Sequence, residues 1–262
     1  METPYTASGE VHVLPSHVEI PGLGLIPVNA FLLRGSEPLL VDTGVFAERE
    51  AFFATLCKLI DPADLRWLWL THADPDHMGS VYQLLEAAPG LRVITTFIGA
   101  GKLTLYGALP MERLYLLNPE QSIDIGDRRL TAIKPPIYDA PETMGLLDSK
   151  SGALISAGCF GAVLSTLATD ARQIPEDELA ERQILWATVD APWLSGVDRT
   201  HFANALNRIR ALAPTQVLSS HLPIAPGMLE RFLDTIARVP DQTPFVGPDQ
   251  AAVQQMLAQA PP

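Results

Sequence analysis

Short apolar runs alternate with clusters of Gly, Pro, Asp and Ser along the chain, and the period inside the runs changes with position. GEVHVLP, HVEI and VNAFLLRG carry the β-branched and apolar content of strands. Residues 38–41 form a short buried strand that stops at Asp42-Thr43-Gly44. Over 47–60, Phe52, Leu56 and Ile60 recur at a spacing of four, the face of an amphipathic helix. Residues 65–70 are a strand that runs straight into THADPDHMGS; a helix over 80–88 and a strand over 91–95 follow. This strand–helix–strand rhythm implies a sheet with crossover helices. Residues 116–161 are strand-rich (SIDIGD, RRLTAIKPP, TMGLLD, GALISAG). The last hundred residues are mostly helical, with helices over 174–193, 201–213 and 227–239, a strand over 216–218 and a short helix from Asp249. The closing AQAPP reads as a frayed end. Nothing resembles an interdomain linker, so the pattern predicts one α/β domain over 1–262, two β-rich halves with helices on both outer faces.

Composition narrows the partners. At 47% hydrophobic and 18% charged, the chain can bury a core and is not disordered. A net charge of −12 repels phosphate backbones and anionic lipid, so neither nucleic acid nor a membrane surface is an expected partner. Cys57 and Cys159 are too few for a disulfide framework. The first residues lack the basic and apolar regions of a signal peptide, and no apolar run reaches about 18 residues. The expectation is a cytoplasmic protein.

The chemistry concentrates in His72-Ala73-Asp74-Pro75-Asp76-His77, where four candidate metal ligands follow an apolar strand directly. A loop at the carboxyl end of a strand can aim several side chains into one crevice. Imidazole and carboxylate together suit iron, zinc or manganese. Asp42 ends a buried strand, needs partners, and is placed to brace that loop. His221 follows another apolar strand, whereas His12, His17 and His201 have no such context. Cys57 falls on the apolar side of a predicted helix and is expected in the core; Cys159, in SAGCFG, is either core or a ligand.

These residues resemble the metallo-β-lactamase superfamily, whose signature H-x-[HED]-x-D-H loop follows a strand ending in D-x-G. Within it the chain is most similar to the diiron domain of flavodiiron proteins: PETMGLLD, GALISAGCFG, ATDARQIPEDEL and SSHLPI resemble successive family segments. The resemblance implies a four-layer αββα sandwich and a metal set of His72, Asp74, Asp76, His77, Asp139 and His221, with Cys159 a further candidate. Three departures stand out. Asp74 replaces the family's glutamate, Asp139 its middle histidine, and Gly158 the aspartate that bridges two metals. Without the bridge, fewer than two tightly held metals are expected. In hydrolases of the superfamily the residue matching His77 is a ligand of the second metal, whereas in flavodiiron proteins it is usually turned away; with His77 retained, the resemblance implies Asp76, His77 and His221 around one ion and His72, Asp74 and Asp139 around another. Two carboxylates and one imidazole favour a harder metal, so iron, as one or two ions, comes first, with zinc or manganese next.

Three readings follow. The first is an oxidoreductase-like non-haem iron protein that binds or reduces O2 or NO, fed by a separate electron-donor protein, since no glycine-rich phosphate loop or flavodoxin-like segment is seen. The second is a metallo-hydrolase in which a metal-activated water, oriented by Asp76, attacks an ester, thioester or phosphodiester. The third is a scaffold whose metal site has decayed. A second copy of the chain is a candidate partner in each.

Overall fold

A computed structural model of the protein describes residues 1–259. Seven strands form the first sheet in sequence order: β1 (Tyr5–Ser8), β2 (Val11–Ile20), β3 (Gly24–Leu33), β4 (Leu39–Val41), β5 (Trp67–Trp69), β6 (Arg92–Thr95) and β7 (Leu114–Leu116). Pairing is antiparallel from β1 to β4 and parallel from β4 to β7. Six strands form the second sheet: β8 (Ser122–Ile125), β9 (Arg128–Ile133), β10 (Gly145–Asp148), β11 (Ala153–Ile155), β12 (Gln216–Leu218) and β13 (Ala225–Pro226), in the spatial order β13-β12-β11-β10-β9-β8. Only β11 and β12 pair in parallel there.

Period-two alternation decides the layers. On β3, Phe31 and Leu33 face the second sheet, meeting Leu130, Leu146 and Ile155 in an inter-sheet core that also holds Trp69. Ala30 and Leu32 face outward, onto α1 (Arg49–Leu56), α2 (Val81–Ala87) and α3 (Phe97–Leu103), through Phe52, Leu84 and Leu103. Leu154 and Val217 of the second sheet pack outward against α4 (Glu176–Asp190), α5 (Arg199–Ala211) and α6 (Leu229–Ile236), through Leu179, Phe202 and Phe232. The result is the αββα sandwich the sequence resembles. Each such side chain contributes about 1.5–3 kcal/mol by leaving water. α7 (Gln250–Gln259) closes the described chain, its first turn held by Asp249 Oδ1, which accepts from Ala252 N at 2.9 Å.

Several boundaries differ from the sequence reading. The strands expected over GEVHVLP and HVEI are one, β2, running through Pro15. The first helix ends at Leu56, not at residue 60, so Cys57 caps it and is exposed rather than in the core. The helix expected over 174–193 stops at Asp190, because Pro192 has no N–H to continue it and a 3₁₀ turn takes over. Helix α3 and strands β1 and β7 were not expected at all. Of the AQAPP end expected to fray, residues 258–259 belong instead to α7, and residues 260–262 lie outside the described residues. Among the described residues no helix is long and apolar enough to cross a membrane.

Candidate metal centre

The strands β4, β5, β11 and β12 all run out towards one end of the sandwich, and the loops that follow them converge there. Asp42, the residue after β4, takes φ 59°, a left-handed conformation that Asp tolerates better than most residues. From there its carboxylate accepts hydrogen bonds from Thr71 N at 2.8 Å and from Thr71 Oγ1, and pairs with His77 Nδ1 at 2.8 Å. Ser220 Oγ reaches the same carboxylate at 3.4 Å. Thr43 N donates to His77 O at 2.7 Å, and Gly79 N donates to Gly44 O at 3.0 Å. A Cβ on Gly79 would stand 2.6 Å from Gly44 O, so only glycine allows the two loops to approach this closely. The Asp42-Thr43-Gly44 turn thus clamps both ends of the 72–77 loop.

His221 is fixed from β3. Asn29 Nδ2 donates to Ser219 O at 3.1 Å and Leu222 O at 2.8 Å, and His221 Nδ1 lies 2.8 Å from Pro27 O. The Pro27 carbonyl only accepts, so Nδ1 carries the proton and Nε2 presents its lone pair. His72 obeys the same logic. Its Nδ1 lies 3.0 Å from Thr71 Oγ1, whose proton is given to Asp42. In all three histidines a partner behind the ring holds Nδ1 and leaves Nε2 facing inward, the arrangement that orients metal-ligating imidazoles.

Two sets of donor atoms result. Asp76, His77 and His221 bring one ligand atom each within 4.8 Å of one another, and His72, Asp74 and Asp139 do the same. Asp76 Oδ2 lies 3.3 Å from His77 Nε2 and 3.6 Å from His221 Nε2, and Asp139 Oδ2 lies 3.2 Å from His72 Nε2. Thr143 Oγ1 steadies Asp139 from 3.1 Å. The rings of His72 and His77, with centroids 3.9 Å apart, join the two sets. All six expected positions therefore meet in one place. Cys159 does not join them. It is buried in the apolar layer under α4, and burial pushes its thiol up to about 12, so it is a core residue. Gly158, next to it, faces the site. A Cβ built there would stand 3.2 Å from His221 Cδ2 and 3.7 Å from Asp190 Oδ2.

The electrostatics are those of a site short of positive charge. Burial opposes ionisation of Asp76, but the charge of His77, with that of His221 and His72, outweighs it and holds the carboxyl well below its usual range. Burial also opposes the His72 contact at Asp139, and again the contact wins. Asp74 is raised by burial and by Asp139 despite His72, and Asp190 is pushed up to about 8 by burial and by Asp139, Asp76 and Asp74. In His77, Asp76 and Asp42 overcome burial and raise the imidazole, so without a cation the ring holds two protons; in His221 burial prevails and lowers it. His77 Nε2 is buried and makes no hydrogen bond. A metal ion displacing that proton would satisfy it, so the residues present fit a metal.

Sequence reasoning missed Asp190, Lys102 and Glu142. Lys102 Nζ pairs with the buried Glu142 at 2.5 Å and reaches Asp74 Oδ1 at 4.0 Å, flanking one donor set.

Comparison with known proteins agrees with this architecture. The diflavin flavoprotein A 1 of Synechocystis sp. is 28% identical over 134 residues, covering 51% of this chain and 23% of the relative. The flavo-diiron protein FprA2 of Clostridium acetobutylicum is 29% identical over 119 residues, covering 44% of this chain and 29% of the relative. The structure of rubredoxin oxygen:oxidoreductase from Desulfovibrio gigas superimposes with a TM-score of 0.80 at 18% identity, over 92% of this chain and 62% of that one, and shares the fold. The chain spans between 23% and 35% of the length of the curated relatives it matches. The family described as ODP family beta lactamase matches residues 26–221, from β3 through every donor loop to His221, and the chain belongs to that family.

Proposed function

We propose that the chain holds a dinuclear non-haem iron centre that binds or reduces O2 or NO, with His72, Asp74 and Asp139 around one ion and Asp76, His77 and His221 around the other. The observation that carries this is the set of three imidazoles, each held at Nδ1 from behind and each aiming Nε2 at a carboxylate. The similarity to the flavo-diiron protein FprA2 of Clostridium acetobutylicum and to the flavodiiron protein of Giardia intestinalis supports the same reading. Three carboxylates among six donors favour iron over a histidine-rich zinc site. When bound, iron supplies open coordination positions and the electrons that O2 or NO accepts. The side chains do the rest. Asp42 and Pro27 O keep the Nδ1 protons in place, and Asp76 is within reach of two imidazoles and holds its negative charge at any physiological pH. Lys102 is the nearby cation, placed to keep a proton donor beside Asp74 and Asp139.

One observation favours a hydrolytic reading. His77 points into the site, as the hydrolases of the superfamily need and as the flavodiiron resemblance does not. A hydrolase would use Asp76 to hold the proton of an attacking water. The experiment compares wild type and His77→Ala, loaded anaerobically with iron and, separately, with zinc. The iron reading expects O2 uptake in the presence of an artificial reductant and no turnover of chromogenic ester or thioester by the zinc form. Hydrolysis by the zinc form without O2 uptake by the iron form would replace it with the second reading. Because His77 is a ligand here, His77→Ala should lose about half of the bound metal; unchanged metal content would mean that the ring turns away.

A further inference from the structure

Position 158 has no side chain, and another element reaches into the space it leaves. α4 presents Gln183, Trp186 and Asp190 towards the site, three and four residues apart on one face. Gln183 Nε2 donates to Phe160 O at 2.9 Å and ties the helix to the 156–161 turn. One turn on, the Trp186 ring lies against His221, with centroids 5.0 Å apart. Asp190 comes next and ends the helix. Its Oδ2 lies 3.7 Å from a Cβ built on Gly158, and that Cβ is also 3.7 Å from His221 Nε2. An aspartate at 158 would extend its carboxylate two bonds beyond Cβ, into the space Asp190 already approaches.

We infer that Asp190 supplies, from the end of a helix, the carboxylate shared by two metal ions that Gly158 cannot provide. This rests on the dinuclear reading above. Glycine at 158 leaves room for the incoming carboxylate, whereas a Cβ there would stand 3.2 Å from His221 Cδ2, a contact relieved by a shift of a few tenths of an ångström. Charge agrees with the assignment. With the imidazoles acting as neutral ligands, two divalent cations would match the charge of Asp74, Asp76, Asp139 and an ionised Asp190. Glu142 does not enter this balance, because Lys102 pairs with it. The low occupancy expected from sequence therefore does not follow.

The test loads wild type, Asp190→Asn, Gly158→Asp and the Asp190→Asn/Gly158→Asp double variant with ferrous iron anaerobically. Iron is counted after desalting, and spin coupling is read from the mixed-valence electron paramagnetic resonance signal after partial oxidation. Wild type should retain two coupled irons per chain, Asp190→Asn about half as much with no coupled signal, and the double variant should regain both. Asp190→Asn that keeps two coupled irons overturns the assignment while leaving the dinuclear reading standing. Wild type that binds no iron overturns both. Asp190→Asn changes no side-chain volume, and Gly158→Asp reads the same position independently. If Asp190 occupies the shared position, a second carboxylate there adds no iron to wild type; extra iron in Gly158→Asp alone would count against Asp190.

Discussion

Replacing Asp42 by Asn tests how the fold sets the chemistry of His77. The backbone should not object: Asp42 sits at φ 59°, and Asn is, with Asp, among the non-glycine residues that adopt this region most readily. The volume is the same. Only the donor pattern changes. The Asp42 carboxylate accepts from Thr71 N, Thr71 Oγ1 and His77 Nδ1, and Asn has one accepting oxygen. If that oxygen keeps Thr71, the new NH2 faces His77 Nδ1. The ring must then accept at Nδ1 and carry its proton on Nε2, the nitrogen that faces Asp76 and His221. A metal would have to reverse that tautomer and leave a buried donor unpaired, a cost of about 1–3 kcal/mol, or roughly 10–100-fold in affinity for the ion held by His77. Removing the charge of Asp42 also lowers the His77 imidazole, which now has Asp76 alone to raise it. Iron binding by isothermal titration under anaerobic conditions measures the first effect, and nitrogen-15 nuclear magnetic resonance shifts of the His77 ring in the metal-free protein report the tautomer. Two iron sites of wild-type affinity in Asp42→Asn, with the ring proton still on Nδ1, would refute the reasoning.

Other outcomes follow from neighbouring contacts. Lys102→Met removes the cation that pairs with the buried Glu142 carboxylate, so stability at neutral pH should fall by about 1–3 kcal/mol in denaturant titrations, with partial recovery in Lys102→Met/Glu142→Gln. Gly161→Ala puts a Cβ 2.6 Å from Trp186 Nε1 and 2.7 Å from His221 Cβ; it should cost about 1–3 kcal/mol and weaken metal binding by displacing His221. In the metal-free protein Asp190 titrates near 8 when folded and near 3.8 when unfolded, so between these values the native chain holds a proton the unfolded chain has lost. Its contribution is lost as pH rises through that window, and Asp190→Asn should be more stable than wild type above about pH 8, with the difference vanishing near pH 4. Equal differences at both ends of the range would show that the Asp190 carboxylate is not the group responsible.

The parts of this site that the sequence displays are those set by local order. An apolar strand followed at once by polar ligands, as at Leu70–His77 and Leu218–His221, marks a strand end whose side chains cannot all turn to solvent. Asp42 is legible for the same reason. Asp190 is not, because nothing local distinguishes it from the other acids of α4; only the placement of that helix across the second sheet brings it to Gly158. Cys159 looked ambiguous because alternation cannot be extended into a turn in which Ala157 and Phe160 take positive φ, and that turn sends its thiol into the core. Helix α3 was hidden by its composition. FIGAGKL has two glycines and exposes Phe97 and Ile98, and its start depends on Thr96, whose hydroxyl accepts from Gly99 N at 3.0 Å. Cys57 was misplaced through a helix end set four residues too far along.

The most direct measurement is anomalous X-ray diffraction at the iron edge from crystals of the wild-type chain loaded with iron under anaerobic conditions. Two peaks per chain are predicted, one bounded by His72, Asp74 and Asp139 and the other by Asp76, His77 and His221, with the Asp190 carboxylate touching both. A single peak, or peaks away from the Nε2 atoms of His72, His77 and His221, would contradict the dinuclear centre.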